Sequence, residues 1–323
     1  MNENESAIPA ENPPLARLSA FWRWLFNDDA FYSRINEEQK DKIDYFRLSV
    51  FVLIHIGCIA ILWVGVSLSA VLFAISLYGL RMFFITAFYH RYFSHRSYQV
   101  NRFMQFVMAV AGCTCGQRGP LWWASHHREH HLKSDTDADP HSPKNGMINS
   151  HTLWFLKKGH FAMKPERIRD MLKYKELLIL ERVDWIPFIA LAVFCYAFGA
   201  VLSGAFPELG TSGSQMLVWG FFVSTIVLYH ATYTINSLCH RYGRRRFDTN
   251  DDSRNNFWLA LLTLGEGWHN NHHRYPASTR QGFYWWEIDM SYLLLWFMSQ
   301  IGLVSSMRPV PVQVMQEANR GRK

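Results

Sequence analysis

Between Leu48 and Leu80 the chain carries no Asp, Glu, Lys or Arg over 33 residues, and between Val183 and His240 it carries no Lys or Arg. An uncharged run of that length is not the surface of a water-exposed domain; its natural solvent is the hydrocarbon of a bilayer. About 20 helical residues at about 1.5 Å each cross that hydrocarbon, so each region holds two crossings. Gly65–Ser69 and the Gly/Ser/Pro-rich SGAFPELGTSGSQ supply the turns. The expected spans are 46–66, 68–89, 183–203 and 215–236, arranged as two hairpins. A mean hydropathy of −0.08 conceals them, because charge is crowded into the segments outside.

Every Lys and Arg lies in the N-terminal segment, between the hairpins, at Arg81 near an end of the second span, or after the fourth. The positive-inside rule then sends both termini and the long middle segment to the cytosol. The expected fold is an all-α integral membrane protein: four transmembrane helices in two hairpins under a cytosolic helical cap built from 90–182 and 237–305. Residues 1–45 form a cytosolic or interfacial segment whose Phe21, Trp22, Trp24, Phe26, Phe31 and Tyr32 suit short interfacial helices. Its acidic start, MNENESAIPAENPP, is not the basic leader of a cleaved signal peptide. Residues 306–323 form a polar tail. Three apolar runs, 103–115, 257–264 and 290–304, are too short to span and belong at the interface or beneath the cap. Five cysteines without a C-x-x-C read as reduced thiols packed as small apolar groups.

Histidine is the unusual component, with 15 in the chain and most of them clustered. HRYFSH places His90 and His95 at the exit of the second span. HREHH gives His127, His130 and His131, and HNNHH gives His269, His272 and His273. Asn236 and His240 close the fourth span in NSLCH. Positions i, i+3 and i+4 share a helix face, so each H-x-x-H-H projects three imidazoles to one side, the adjacent pair pointing slightly apart. His90 and His95 are five apart, which an ideal α-helix splays; that spacing suits one ligand for each of two metals. A lone histidine is usually a satisfied polar group, but four clusters sent to the same membrane face are a different matter. Nine imidazoles exceed one ion and fit a pair, and imidazole accepts Fe, Zn, Cu and Ni alike. No H-E-x-x-H occurs, which disfavours a zinc protease. Inside their ends the spans hold only His55, Arg81 and His230 as possible intramembrane ionisable groups, too few for a transporter's midplane site. His55 and His230 read as hydrogen-bonded packing residues, and Arg81 as close enough to the interface to snorkel.

HRYFSHRSY, HHREHHLKSDTDADPHSP, NSLCHRYG and GEGWHNNHHRYP together resemble the membrane-bound fatty acyl desaturases of the stearoyl-CoA (Δ9) type, over about residues 46 to 305. The H-x-x-x-x-H first box resembles this branch more than the Δ12/ω3 desaturases, alkane hydroxylases and sterol oxidases. The resemblance implies two Fe2+ ions with O2 as co-substrate. It also implies a division of ligands: His90, His131, His240, His269 and His273 on one iron, and His95, His127, His130 and His272 on the other, with Asn236 reaching the second through a water. It further implies that Trp123 lines the acyl tunnel, that Gln117 and Arg118 sit near the headgroup entrance, and that Tyr233 stands where animal members commonly have Trp. Ala74 and Tyr78, above the first box, are candidates for the tunnel floor.

Glu266, three residues before His269, is a candidate to orient a ligand, or a solvated or capping residue. Asp135, Asp137 and Asp139 in SDTDADPH favour a turn and cap over hard-metal ligation. The chain has no b5 heme motif, ferredoxin-type cysteines or G-x-G-x-x-G, so a separate electron donor is expected, such as a ferredoxin or cytochrome b5 with its reductase. Arg244, Arg245 and Arg246 would steer an acidic donor, contact anionic lipid or fix topology. The expected activity is O2-dependent desaturation of a saturated acyl chain, Δ9 by resemblance, with membrane di-iron hydroxylation and non-catalytic metal binding as the alternatives. The substrate is an acyl-CoA or acyl-lipid, the carrier being open, and no nucleic-acid partner is expected. A bacterial cytoplasmic membrane is the expected location, since no organellar signal or fused b5 domain is read in the sequence.

Overall fold

The computed structural model describes residues 13–320; the acidic start lies outside them. Regular structure among the described residues is helical, with only isolated β-bridges besides. Four helices are long and apolar enough to cross a membrane: Tyr45–Val64, Leu68–Ser94, Trp185–Ala205 and Gly213–Ser237. The first and third turn bare apolar faces outward, Leu62 at 79% and Val193 at 64% exposure, as lipid-facing helices must. The second and fourth are the more buried pair and carry the cap.

Each hairpin turns on a glycine and restarts on a serine cap. Gly65 takes φ +68°, and the Ser67 side chain accepts from the Ala70 N–H; Gly210 is left-handed, and Ser212 accepts from the Gln215 N–H. The two loops are latched together by Gln215, which donates to the Val64 carbonyl at 3.0 Å and accepts from Ser67 Oγ at 2.6 Å.

The second span runs five residues past its expected end at 89. Its last eleven residues, Phe84–Ser94, form a π-helix that is buried on every side. This extension packs on the helix Arg102–Cys113 and on the HREHH helix, Pro120–Lys133. The latter begins on Pro120, suited to a first helical turn, and its Leu121 and Trp122 N–H groups donate to the Glu181 carboxylate at 2.9 and 3.1 Å. The apolar helices Arg102–Cys113, Phe257–Leu262 and Met290–Gln300 each bury one face and bare another, with Phe103, Trp258 and Phe297 exposed, as interfacial helices do. Of the N-terminal aromatics, Phe21, Trp22, Trp24, Phe31 and Tyr32 fall on the short helices Pro13–Leu25 and Asp29–Tyr32, and Phe26 on the turn between them.

Arg81 does not snorkel. It is 1% exposed, between the second and fourth spans, and donates to Thr225 Oγ1 at 2.8 Å, to Ser224 Oγ and to the Thr114 carbonyl. The hydroxyls of the fourth span supply inside the bilayer the acceptors that water would supply at its edge. His55 and His230 are hydrogen-bonded to each other at 3.1 Å, and His230 to His151 at 3.0 Å. All five cysteines are free, and four of them are buried.

Gly112 lets the ring of Tyr89 pack closely against its helix: a Cβ there would clash with Tyr89 Cε1, whereas a Cβ at Gly79 would meet nothing within 4 Å. Gly112→Ala is therefore expected to destabilise by about 1–3 kcal/mol and to lower the thermal unfolding midpoint in detergent. Gly79→Ala, the matched control in the second span, should leave that midpoint unchanged or raised.

Candidate metal centre

The nine boxed imidazoles form two clusters whose ligand atoms lie within 4.8 Å of one another: His90, His95, His127, His131 and His272 in one, and His130, His240, His269 and His273 in the other. This grouping corrects the division implied by resemblance. His90 and His131 join His95, His127 and His272, while His130 joins His240, His269 and His273. Helix geometry gives the reason. At 100° per residue, position i+4 lies about 40° from position i on one side and i+3 about 60° on the other. His127 and His131 thus serve one cluster and His130 the other; His269 and His273 pair likewise, with His272 crossing over. His90 and His95 do not serve separate clusters either. The π-helix bonds the His95 N–H to the His90 carbonyl at 3.2 Å, closing an i→i+5 turn that stacks residues five apart.

Within the larger cluster Nε2 atoms face one another: His95–His127 at 2.8 Å, His272–His131 at 2.9 Å, and His131–His127 and His90–His272 at 3.0 Å. In the smaller, His240 and His269 Nε2 are 3.0 Å apart. Imidazole binds first-row metals at about 2.0–2.1 Å, so two neighbouring ligands of one octahedral ion sit about 3 Å apart. The protonation pattern makes the same point. His130, His240 and His273 give Nδ1–H to Asp139, Asp135 and Asp251 at 3.0, 2.7 and 2.7 Å, and His90 gives its Nδ1–H to Glu266. Their Nε2 atoms are therefore bare lone pairs, and a cation is the partner that satisfies several at once. The residues fit a metal pair.

Electrostatics favour the neutral form at six of the nine ligands. Burial, reinforced by neighbouring imidazoles, holds His95, His127, His131, His269 and His272 well below the ordinary imidazole pKa. Burial takes His273 down to about 4 despite Asp251. His130 goes the other way, because the Asp139 carboxylate outweighs burial and raises it. Asp135, Asp139, Asp251 and Glu266 all titrate below their usual range in spite of burial, held down by the histidines and by Arg91.

Asp135 and Asp139 are thus more than turn residues. Asp139 does accept from the Asp135 and His141 N–H groups, but both carboxylates also fix a ligand's tautomer, and only Asp137 stays exposed. Of the two readings of Glu266 the buried, orienting one holds: it bridges His90, Arg91 and Gln281. His126 stays outside both clusters, its Nδ1 3.0 Å from the Trp122 carbonyl. Sequence reasoning missed Asp251 and Gln281, because no helical or strand register links them to the boxes. It also missed Thr232, whose signal was its place one turn before Asn236.

A cavity of about 230 Å³ runs from Trp24, Val50 and Ile54 to the centre, and a lobe of about 40 Å³ continues beyond it to Met82, Ile85 and Thr86. Trp123, His127, Thr232 and Asn236 line both and mark the narrowing between them. Trp123 stacks on His127 at 4.9 Å, and the Gln117 amide donates to Thr232 Oγ1 at 3.2 Å. Gln117, Arg118 and Tyr233 line the larger cavity, and Asn236 lines both lobes. Ala74 and Tyr78 line neither lobe. The space ends at Met82, one turn short of Tyr78, whose hydroxyl donates to the Leu262 carbonyl instead. Arg246 is likewise no free surface charge: it pairs with Glu287 and donates to Asn271 on the HNNHH helix at 3.0 Å, leaving Arg244 and Arg245 exposed.

A family model described as fatty acid desaturase matches residues 61–295. Delta-9 acyl-lipid desaturase 2 of Arabidopsis thaliana is 32% identical over 331 residues, covering 100% of this chain and 96% of its own. An acyl-CoA 5-desaturase of Anemone leveillei is 34% identical over 278 residues, covering 84% of this chain and 81% of its own. A chloroplastic palmitoyl-monogalactosyldiacylglycerol delta-7 desaturase of Arabidopsis thaliana is 35% identical over 227 residues, covering 69% and 58%.

Removing a carboxylate that fixes a ligand typically lowers metal affinity by about 10–100-fold. Asp251→Asn and Asp135→Asn should each lose metal from the smaller cluster, reading nearer one ion per chain than two by elemental analysis. The exposed Asp137→Asn should read as wild type.

Proposed function

The chain belongs to the fatty acid desaturase family, and on that premise we propose that it inserts a cis Δ9 double bond into a saturated acyl chain at a di-iron centre on the cytosolic side of a bacterial cytoplasmic membrane. Family membership makes it an integral membrane, O2-dependent oxidoreductase. The balance is that one vicinal CH2–CH2 pair loses two hydrogens while O2 takes up two electrons and two protons, giving a CH=CH unit and two waters. With iron bound, the centre supplies the oxidising power toward an unactivated methylene that no side chain provides. Iron is preferred to zinc because zinc has no redox chemistry.

The observation that carries the proposal is the narrowing at Trp123 and Thr232. His127 of one cluster lines both lobes there, and His130 and His269 of the other line the far lobe. An acyl chain threaded through it lays a short stretch of methylenes beside both metal groups and nowhere else. Trp123, stacked on His127, forms a flat apolar wall that orients the chain and excludes water. The first-box spacing and the delta-9 relatives support Δ9. Relatives named for positions 5 and 7 support a ruler set by the distance from headgroup to narrowing.

Electrons come from a separate ferredoxin or cytochrome b5 with its reductase, steered by the exposed Arg244 and Arg245. Arg244→Gln with Arg245→Gln should reduce donor-dependent turnover while leaving metal content intact. Loss of membrane insertion would instead assign these residues to topology. Expression in a host lacking Δ9 desaturation, with mass spectrometry of double-bond position, tests the activity. A Δ9 monoene is expected; hydroxy-acids, or no product with a competent donor, overturn the proposal. We place Tyr78 just below the floor of the far lobe, so Tyr78→Ala should move the product profile toward longer chains. An unchanged profile removes Tyr78 from that role.

A further inference from the structure

The π-helix that carries His90 leaves an end that its own backbone does not finish. The last carbonyls of any helix lack intrahelical donors, and a π-helix, bonding five residues apart, has one more such carbonyl than an α-helix. Three of the last five are met by the closing turn. The His95 N–H donates to the His90 carbonyl at 3.2 Å, the Arg96 N–H to Tyr92 at 3.0 Å and the Ser97 N–H to Arg91 at 2.9 Å. The remaining two, on the buried residues Phe93 and Ser94, take their donors from another element. Arg128 of the HREHH helix gives Nε–H to the Ser94 carbonyl at 2.7 Å and Nη2–H to the Phe93 carbonyl at 2.9 Å.

The guanidinium is fully engaged. Its five N–H donors meet five acceptors. Besides the two carbonyls, Nη1 donates to Asp170 Oδ1 at 2.7 Å and to the Arg167 carbonyl at 2.8 Å, and Nη2 donates to Asp170 Oδ2 at 3.3 Å. The side of the fork grips two adjacent carbonyls while Asp170 holds its end, which a planar guanidinium can do and a single ammonium cannot. Sequence position gives the contact its consequence. Arg128 follows the ligand His127, and the Ser94 carbonyl belongs to the peptide that carries the ligand His95. The fork thus ties two helices together beside the His95 Nε2–His127 Nε2 contact at 2.8 Å. In an α-helical register the same five residues would turn His95 about 140° around the axis from His90, out of the larger cluster.

We propose that Arg128 is a positioning residue for the metal centre: by finishing the π-helix from the HREHH helix, it holds the first box in the register that gives His95 to the larger cluster. Arg128 lines neither lobe of the cavity, so it acts through His95 and not on the acyl chain. Without the fork, two buried carbonyls lose their donors, and the π-register is weakened where His95 leaves it. The smaller cluster has no ligand on the π-helix, so the loss falls on one ion of the pair. The role goes beyond the desaturase reading, since it holds for any chemistry at that pair.

Elemental analysis of the full-length protein, purified in detergent and loaded with Fe2+ under argon, tests the role without turnover; absence of product in the assay above leaves it untouched. Arg128→Gln should read nearer one ion per chain than two. In competition with a chelator, the lost ion should be held about ten- to a hundredfold more weakly than in the wild type. The Mössbauer spectrum of the remaining iron should differ from that of Asp251→Asn, which keeps the larger cluster instead. Arg128→Lys retains the charge without the fork and should behave as Arg128→Gln does. Arg96→Gln removes the other guanidinium bound to Asp170, gives up no side-chain bond to a π-helix carbonyl, and should hold metal as the wild type does. Should Arg128→Gln fail to fold, Asp170→Asn loosens the same fork and should weaken the same ion; no change there overturns the role. Wild-type metal content in Arg128→Gln, full recovery with Lys, or loss of both ions from a folded variant overturns it as well.

Discussion

The structure is organised around lone pairs that point at one another. Three of the four imidazoles in the smaller cluster donate their only proton outward to Asp135, Asp139 and Asp251, and His90 of the larger donates to Glu266. Their inward nitrogens converge to hydrogen-bond distances with nothing to share. Such a constellation is repulsive unless cations occupy it, and burial makes the repulsion stronger by removing water. The carboxylates fix the tautomers of His90, His130, His240 and His273 and so hold those four ligands ready, while burial of His95, His127, His131, His269 and His272 disfavours the protons that would compete with metal. The buried π-helical extension, the Glu181-capped HREHH helix and the Asn271–Glu287–Arg246 contacts serve to hold this unfavourable geometry in place.

Much of this was legible in the sequence. Charge-free runs fixed the number of spans, helical spacing gave each box a face, and the box set together pointed to the family. What was not legible has specific physical causes. The π-helix of Phe84–Ser94 reverses the expected geometry of His90 and His95, and π-helices follow from tertiary packing on all sides rather than from local propensity. The grouping of ligands follows from the angular difference between i+3 and i+4, a distinction of about 100° that a one-face description blurs. Arg81 sits near the end of an apolar run, but its burial depends on Ser224 and Thr225, far away in sequence. Asp251 and Gln281 lie in irregular segments, where no period exists to read.

The two lobes of the cavity divide the labour of recognition. The narrowing at Trp123 and Thr232 is fixed by the metal ligands and cannot move without dismantling the centre. On the proposed function, selectivity for position along an acyl chain would come from the two ends of this space: the outer part of the larger cavity on one side, and Met82 and Ile85 on the other.

Arg81 and its partners Ser224 and Thr225 are joined across up to 144 residues of chain, and the hairpin loops are joined across a similar distance through Gln215. A ribosome delivers the second span long before the fourth. During that interval the nascent first hairpin sits in the bilayer with an uncovered guanidinium and an open loop carbonyl. Completion of the last span removes both defects at once, so the biosynthetic intermediate is marked as unfinished in a way that the finished protein is not. Membrane quality control would have a physical signal to act on, and any truncation before the fourth span would keep that signal on display.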